Sequence, residues 1–139
     1  MIQLIVGEKG KGKTKYLLEK VNSTIKTASG NIVYLDKNAK HMYELKNRIR
    51  LINASEYPIT NADEFTGFIC GIVSQDHDLE QMYLDSFLDV AFIKDRNPEP
   101  ALLKLEKISE QFSVDFVISI SVDGSELSED LKSKVIVSL

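Results

Sequence analysis

Residues 7–14 combine the residue types that bind a phosphate group, at the spacing that such binding requires. They read Gly-Glu-Lys-Gly-Lys-Gly-Lys-Thr and match the pattern G-x-x-x-x-G-K-[ST]. Glycines allow a tight loop whose backbone N–H groups converge on an anion, in conformations that a Cβ would obstruct. Lys13 is then expected to contact the β- and γ-phosphates of a nucleotide, and the Thr14 hydroxyl to bind Mg²⁺. The expected nucleotide-binding residues are Gly7, Glu8, Lys9, Gly10, Lys11, Gly12, Lys13 and Thr14.

The segments on either side of this glycine-rich loop, as we call residues 7–14, favour the same interpretation. Residues 2–6 are apolar and predict a buried strand that leads directly into the loop. Behind the loop, apolar residues recur at helical spacing at Leu17, Val21, Ile25 and Ala28. A strand, a glycine-rich turn and a helix form the context that the motif requires, and the positive end of the helix would favour an anion.

Composition restricts the classes of protein to which the chain can belong. With 139 residues and 43% hydrophobic residues, we expect a single globular domain over 1–139. The formal net charge of −4 makes general nucleic-acid binding an unlikely function. The single cysteine excludes an internal disulfide and a zinc site built from several cysteines. No signal peptide or membrane span is visible, so we expect a cytoplasmic protein.

Strand and helix patterns alternate along the rest of the chain. Strands are predicted at 31–36, 79–84, 114–121 and 134–139, with a short strand or extended segment at 48–52; helices are predicted at 39–46, 60–74, 86–93 and 97–112. This alternation predicts a parallel sheet with helices on both faces. Gly67 and Gly71 lie inside the predicted 60–74 helix, where we expect them to allow close packing on the sheet.

Polar residues at the carboxyl ends of these strands are candidates for the rest of the site, because ligands of such sheets bind there. Asp85 follows a predicted buried strand, and we favour it as the Walker B aspartate near Mg²⁺; the alternative is a carboxylate that caps the next helix. Ser119 or Ser121 could donate a hydrogen bond to the γ-phosphate or to the attacking water. The candidate catalytic residues are Asp85, Ser121 and Asp36.

A general base is not evident from the sequence. Many ATPases with this loop have a glutamate directly after the Walker B aspartate, whereas this chain has Ser86. Asp36 or Glu56 could replace it, and Glu8 is expected to point outward. The chain has three arginines that could serve as an arginine finger, which stabilises charge on the transferred phosphate: Arg48, Arg50 and Arg96. We therefore expect slow hydrolysis, or none without a partner.

The segment Asp76-His77-Asp78 could suggest a metal site, but a polar loop is the preferred interpretation because no second histidine lies nearby.

The glycine-rich loop, the strand that ends at Asp85 and the serine-bearing strand 114–121 resemble the core of the additional-strand, RecA-like P-loop ATPases. This resemblance implies a three-layer α/β sandwich with a mainly parallel five-stranded sheet in the order 5-1-4-3-2, and it implies ATP and Mg²⁺ as ligands. The whole chain is also similar to short proteins of clostridia and related Firmicutes that are often labelled twitching-motility or pilus-retraction ATPases. The chain has no counterpart of the separate N-terminal domain or histidine motifs of those motors, so the resemblance does not imply motor activity.

Three functions are compatible with these patterns. The first is an ATP-binding module that hydrolyses ATP slowly or with a partner. The second is a non-catalytic nucleotide-dependent switch that presents a surface to a protein partner or to a second copy. The third is a small-molecule or nucleotide kinase in which Asp36 binds the acceptor hydroxyl, although the segment 97–112 lacks the arginines of a kinase lid. ATP is preferred over GTP because no guanine-recognition motif is present.

Overall fold

The computed structural model describes all 139 residues. Six strands and five α-helices alternate along the chain. In order they are β1 Ile2–Val6, α1 Lys13–Thr24, β2 Asn31–Asp36, β3 Ile49–Asn53, α2 Ala62–Ser74, β4 Leu79–Leu84, α3 Phe87–Val90, α4 Glu99–Phe112, β5 Asp115–Ile120, α5 Glu129–Lys132 and β6 Val135–Ser138. Short 3₁₀ turns lie at Met42–Glu44, Ala54–Glu56 and Gly124–Glu126. The α/β class predicted from the alternating pattern is confirmed.

The strands form one parallel sheet in the order β3-β2-β4-β5-β1-β6. The expected five-stranded sheet in the order 5-1-4-3-2 is therefore wrong in strand number and in order. The difference comes from the segment predicted only as a short strand or extended segment. Its residues pair with β2 in register, Ile32 opposite Ile49 and Tyr34 opposite Leu51, and form an additional strand at the edge of the sheet. The other five strands lie side by side as β2-β4-β5-β1-β6.

Apolar side chains on alternate positions of the central strands point to the two faces of the sheet. Leu4 and Val6 join the larger apolar cluster, which α2 and α4 cover, and Ile5 joins the smaller cluster, which α1 covers. Helices thus flank both faces, and the central strands are buried on both sides, as parallel strands usually are. Because the strands are parallel, the residues that follow β1, β4 and β5 meet at one edge of the sheet.

Local predictions differ from the structure at several places. Helix α1 ends at Thr24, before Ile25 and Ala28 of the predicted repeat. The helix predicted at 86–93 is a single turn, Phe87–Val90, and the helix predicted at 39–46 is only a 3₁₀ turn, Met42–Glu44. Gly67 and Gly71 do not mark close packing on the sheet, because a Cβ built at either position would meet no atom within 4 Å. None of the helices is long and apolar enough to cross a membrane.

Candidate functional site

The glycine-rich loop connects the carboxyl end of β1 with the amino end of α1, and its three glycines have positive φ angles. The φ angle is +152° at Gly7, +82° at Gly10 and +95° at Gly12. A Cβ at Gly7 would lie 2.8 Å from the carbonyl oxygen of Leu139, whereas a Cβ at Gly10 or Gly12 would meet no atom within 4 Å. Backbone conformation therefore requires the second and third glycines, and close packing adds to the requirement at the first.

The first turn of α1 has no side-chain cap and no acidic residue. Gly12 occupies the N-cap position in the left-handed conformation, without a side chain that could bond to the first N–H groups. Those N–H groups have no intrahelical partner, and the helix dipole adds positive potential at this end. An anion is the ligand that these groups would bind best.

Lys13 is buried at the start of α1, with 8% of its surface exposed. Its Nζ atom donates a 2.9 Å hydrogen bond to the carbonyl oxygen of Glu8 in the same loop. Burial lowers the pKa of the Lys13 ammonium group, and the negative charges of Asp85 and Glu8 oppose that change. The ammonium group is thus directed into the loop, where its charge would gain most from an anionic ligand.

The carboxylate of Asp85 is the centre of a hydrogen-bond network at the end of β4. Asp85 is 2% exposed, and its Oδ1 atom accepts a 2.7 Å bond from the Ser119 hydroxyl and a longer bond, 3.3 Å, from the Thr14 hydroxyl. Its Oδ2 atom accepts a 2.8 Å bond from the Tyr34 hydroxyl. Thr14, the second residue of α1, and Asp85, the residue directly after β4, are thereby brought into direct contact. They are the two residues that the sequence predicted to lie near Mg²⁺.

The residue after Asp85 has an unusual backbone conformation. Ser86 has a φ of +56°, and its N–H group donates a 2.9 Å bond to the Ser119 hydroxyl oxygen. Ser119 therefore bonds to both Asp85 and Ser86, and it fixes the turn at the end of β4. Two serines of the predicted strand 114–121 were candidates for the site. Ser119 contacts Asp85, whereas Ser121 only lines the cleft over these residues.

An open cleft of about 360 Å³ lies over these residues, and no hydrophobic residue lines it. Its lining consists of Lys9, Gly10, Gly12, Lys13, Thr14, Lys37, Asp85, Ser86, Asp89, Ser119 and Ser121. The cleft thus combines residues of the glycine-rich loop with residues that follow three strands. Its lysines and hydroxyl groups suit a highly polar, anionic ligand.

Asp36 is close to this site but does not line the cleft. It is 3% exposed, and its Oδ1 atom accepts a 2.7 Å bond from the N–H group of Lys37. Burial raises the pKa of the Asp36 carboxyl group, and the charge of Asp85 raises it further. Lys37 was not among the predicted residues, although its position directly after β2 could have indicated it. Its Nζ atom forms a 3.2 Å ion pair with Asp89.

A cluster of exposed charges borders the glycine-rich loop. One Nη atom of Arg96 lies 3.3 Å from the Glu8 carboxylate and 3.2 Å from the Glu126 carboxylate. Glu8 is exposed and points outward, as expected. Arg96 has a φ of +59°, a conformation that costs a non-glycine residue about 1–2 kcal/mol. Of the three arginines, this is the one at the loop, since Arg48 and Arg50 line a cleft beside β2 and β3.

Whether this site suits a magnesium ion depends on its oxygen atoms. The chain contains no group of three or more His, Cys, Asp or Glu side chains that could hold a metal ion. Mg²⁺ commonly takes only one or two protein oxygens and completes its octahedron with water and phosphate. Thr14 and Asp85 provide a hydroxyl and a carboxylate of this kind, so the donor set fits Mg²⁺ accompanied by a phosphate-bearing ligand.

Glu56, a candidate general base, does not line the cleft at the glycine-rich loop. It lines another cleft beside β3.

Comparison of the chain with models of known protein families finds no match. Comparison with curated proteins finds no match either. The similarity to the RecA-like and twitching-motility groups therefore stays a prediction from the sequence.

Proposed function

We propose that this protein binds a magnesium nucleoside triphosphate, with ATP as the preferred nucleotide, and hydrolyses its β–γ bond slowly or only with a partner. The observation that carries this proposal is the contact between the Thr14 hydroxyl and the Asp85 carboxylate beside the glycine-rich loop. In this assignment the loop and Lys13 would hold the phosphates, and Thr14 and Asp85 would hold Mg²⁺. The bound Mg²⁺ would neutralise charge on the phosphate oxygens.

The roles of the remaining residues follow from their contacts. Tyr34 and Ser119 donate hydrogen bonds to Asp85 and so orient its carboxylate. Ser121 lines the cleft, where its hydroxyl could bond to the γ-phosphate. Lys37 adds a further positive charge at the wall of the cleft, although Asp89 partly neutralises it.

Slow or partner-dependent hydrolysis is proposed because both carboxylates that line the cleft are engaged, Asp85 by three hydroxyl groups and Asp89 by Lys37. Ser86 occupies the position after Asp85, and Asp36 is buried outside the cleft. Arg96, the arginine nearest to the loop, is engaged by two carboxylates. The same observations favour a nucleotide-dependent switch as the second candidate function. A kinase is less well supported, because Asp36 would have to reach an acceptor hydroxyl from outside the cleft.

Calorimetric titration with Mg-ATP tests the binding proposal. Lys13→Ala removes a charge-assisted contact worth about 1.5–3 kcal/mol, so affinity should fall by roughly 10- to 150-fold. Lys26→Ala is the matched control, because Lys26 is an exposed lysine beyond the far end of α1 and does not line the cleft. It should change affinity by less than about threefold, as expected for an exposed charge. Thr14→Ala should reduce the difference between the affinity for ATP measured with Mg²⁺ and the affinity measured with a chelator.

Two results would contradict the proposal. One is an absence of binding to the folded wild-type protein, and the other is an equal loss of affinity in the Lys13 and Lys26 variants. Thermal unfolding of each variant checks that lost binding does not reflect lost folding. Phosphate release measured on the same preparations then separates a slow ATPase from a switch, and rapid turnover by the isolated chain would refute the requirement for a partner.

A further inference from the structure

Strand β3 forms an open edge of the sheet, remote from the glycine-rich loop in the strand order. It pairs with β2 on one side and with no strand on the other. The unpaired side of an edge strand presents backbone N–H and C=O groups that another extended chain can bind. Proteins commonly cover or shorten such edges, but β3 has five residues, which is an ordinary strand length.

Two clefts lie beside this edge. The first, of about 720 Å³, lies between the sheet and α2, where Phe68, Gly71 and Ile72 form one wall. The second, of about 400 Å³, lies beside the 3₁₀ turn Met42–Glu44, and Met42 and Leu45 contribute to its lining. Arg50, Ile52 and Tyr57 line both clefts. Successive side chains of a strand point to opposite faces of a sheet, so a strand added beside β3 could place alternate side chains in the two clefts.

The charges around the edge favour an acidic partner, although the chain as a whole carries a net charge of −4. Lys46, Arg48 and Arg50 are exposed there. The Arg50 guanidinium has no hydrogen-bond or ion-pair partner within the chain. Two acidic residues also line the clefts, Glu56 and Asp76, but the Asp76 carboxylate accepts hydrogen bonds from Asn31 through both of its oxygens. Three basic side chains against two acidic ones leave one net positive charge at this edge, and Arg50 is free to pair.

Exposed apolar side chains add contact surface at the same edge. Met42 is 48% exposed and Tyr57 is 43% exposed. The ring of Tyr57 packs on Phe68 with centroids 4.9 Å apart, so it is held in place before any partner binds. Tyrosine, methionine and arginine are the residue types that protein interfaces contain in excess. The room beside Gly71, where a Cβ would meet no atom, leaves the α2 wall open to a side chain from outside.

From these observations we infer that β3 is a docking site for an extended segment of a partner protein, one that carries acidic and apolar residues and adds a seventh strand to the sheet. Backbone hydrogen bonds to β3 would supply most of the affinity, and the clefts would select the side chains, as in other cases of strand addition. Arg50 would pair with an acidic side chain of the partner. The inference does not depend on nucleotide binding, since none of these residues lines the cleft at the glycine-rich loop.

The inference can be tested by selection from a random library of displayed peptides. Each peptide is about nine residues long, which is enough to span β3 as an added strand. The whole protein should enrich sequences that carry Asp or Glu among apolar residues and contain no proline. The charge-reversed Arg50→Glu variant should not enrich these sequences. The control variant Lys107→Glu should enrich them, because it changes the net charge by the same amount at an exposed lysine on α4, away from β3. Absence of enrichment, or enrichment that Arg50→Glu leaves unchanged, would overturn the inference.

Fluorescence anisotropy of one selected peptide then distinguishes strand addition beside β3 from other modes of binding. Methylation of alternate backbone nitrogens on the edge that faces β3 should weaken binding by at least tenfold, because it removes hydrogen bonds and leaves every side chain in place. Methylation of the opposite edge should have little effect. Equal effects of the two methylation patterns, or displacement of the peptide by a second copy of the chain, would show that the proposed mode is wrong. Circular dichroism of each variant confirms that it is folded.

Discussion

Replacing Tyr34 by phenylalanine removes one hydroxyl group and keeps the ring that stacks on Tyr83, with centroids 6.2 Å apart. The lost hydroxyl donates a 2.8 Å hydrogen bond to the buried carboxylate of Asp85. A hydrogen bond to a charged group contributes about 1.5–3 kcal/mol to stability, and two donors, Ser119 and Thr14, remain on the other carboxylate oxygen. We therefore expect Tyr34→Phe to lower the free energy of unfolding by about 2 kcal/mol.

Urea unfolding at neutral pH, followed by circular dichroism, measures this loss. With a slope of about 2 kcal/mol per molar urea, the midpoint should fall by about 1 M. Tyr83→Phe is the matched control: its hydroxyl donates a longer bond, 3.3 Å, to the uncharged hydroxyl of Thr24, so it should cost less than about 1 kcal/mol.

A double-mutant cycle shows whether the charge of Asp85 is responsible. In an Asp85→Asn background the acceptor is neutral, so Tyr34→Phe should cost only about 0.5–1.5 kcal/mol. An equal loss for Tyr34→Phe and Tyr83→Phe, or an undiminished loss in the Asp85→Asn background, would refute the reasoning.

Two further substitutions test other parts of the fold. Burial and the charge of Asp85 raise the pKa of Asp36 above its unfolded value, so the stability that its protonated form contributes is present at low pH and is lost as the pH rises through the folded pKa. Asp36→Asn, whose side-chain oxygen can still accept the Lys37 N–H, should therefore be more stable than wild type at pH 7.5, and urea midpoints should converge as the pH is lowered; a difference that grows on acidification would contradict this. Gly71→Ala should raise stability by about 0.5–1 kcal/mol, since Gly71 lies inside α2 and a Cβ there meets no atom, and a lower melting temperature in calorimetry would show that the helix needs this glycine.

Local chemistry made the glycine-rich loop and its flanking elements predictable. Three glycines and a Lys-Thr pair between an apolar run and a helical repeat leave few alternative structures. The strand forms where expected, and the helix begins at Lys13 as expected but ends at Thr24, before the last two residues of the repeat. The position of Asp85 beside Thr14 followed from one further rule, that the carboxyl ends of parallel strands meet at the same edge.

Features that depend on contacts between distant segments could not be predicted in the same way. The donation from Tyr34 to Asp85 joins residues on two neighbouring strands, and nothing in the local sequence of either indicates it. The strand at Ile49–Asn53 carries an arginine at its second position, so its pairing depended on the exposed edge of β2. The helix predicted at 39–46 did not form: Leu45 packs on the smaller apolar cluster, but Met42 and Tyr43 are exposed, so the segment has no continuous apolar face to bury. Gly71 was assigned to packing from its spacing alone, which does not indicate what lies opposite a helix face.

The ion pairs of Arg96 link three segments that are distant in sequence. Its guanidinium joins the glycine-rich loop, through Glu8, to the 3₁₀ turn Gly124–Glu126, and the arginine itself belongs to the loop before α4. An anion that entered the glycine-rich loop and contacted this guanidinium would compete with both carboxylates for it. If the anion takes Arg96 from Glu8 and Glu126, the binding of the anion and the breaking of these ion pairs become linked equilibria. Each process then favours the other by the same free energy. A restraint of this kind would let the occupancy of the loop be sensed at a surface that the anion never touches.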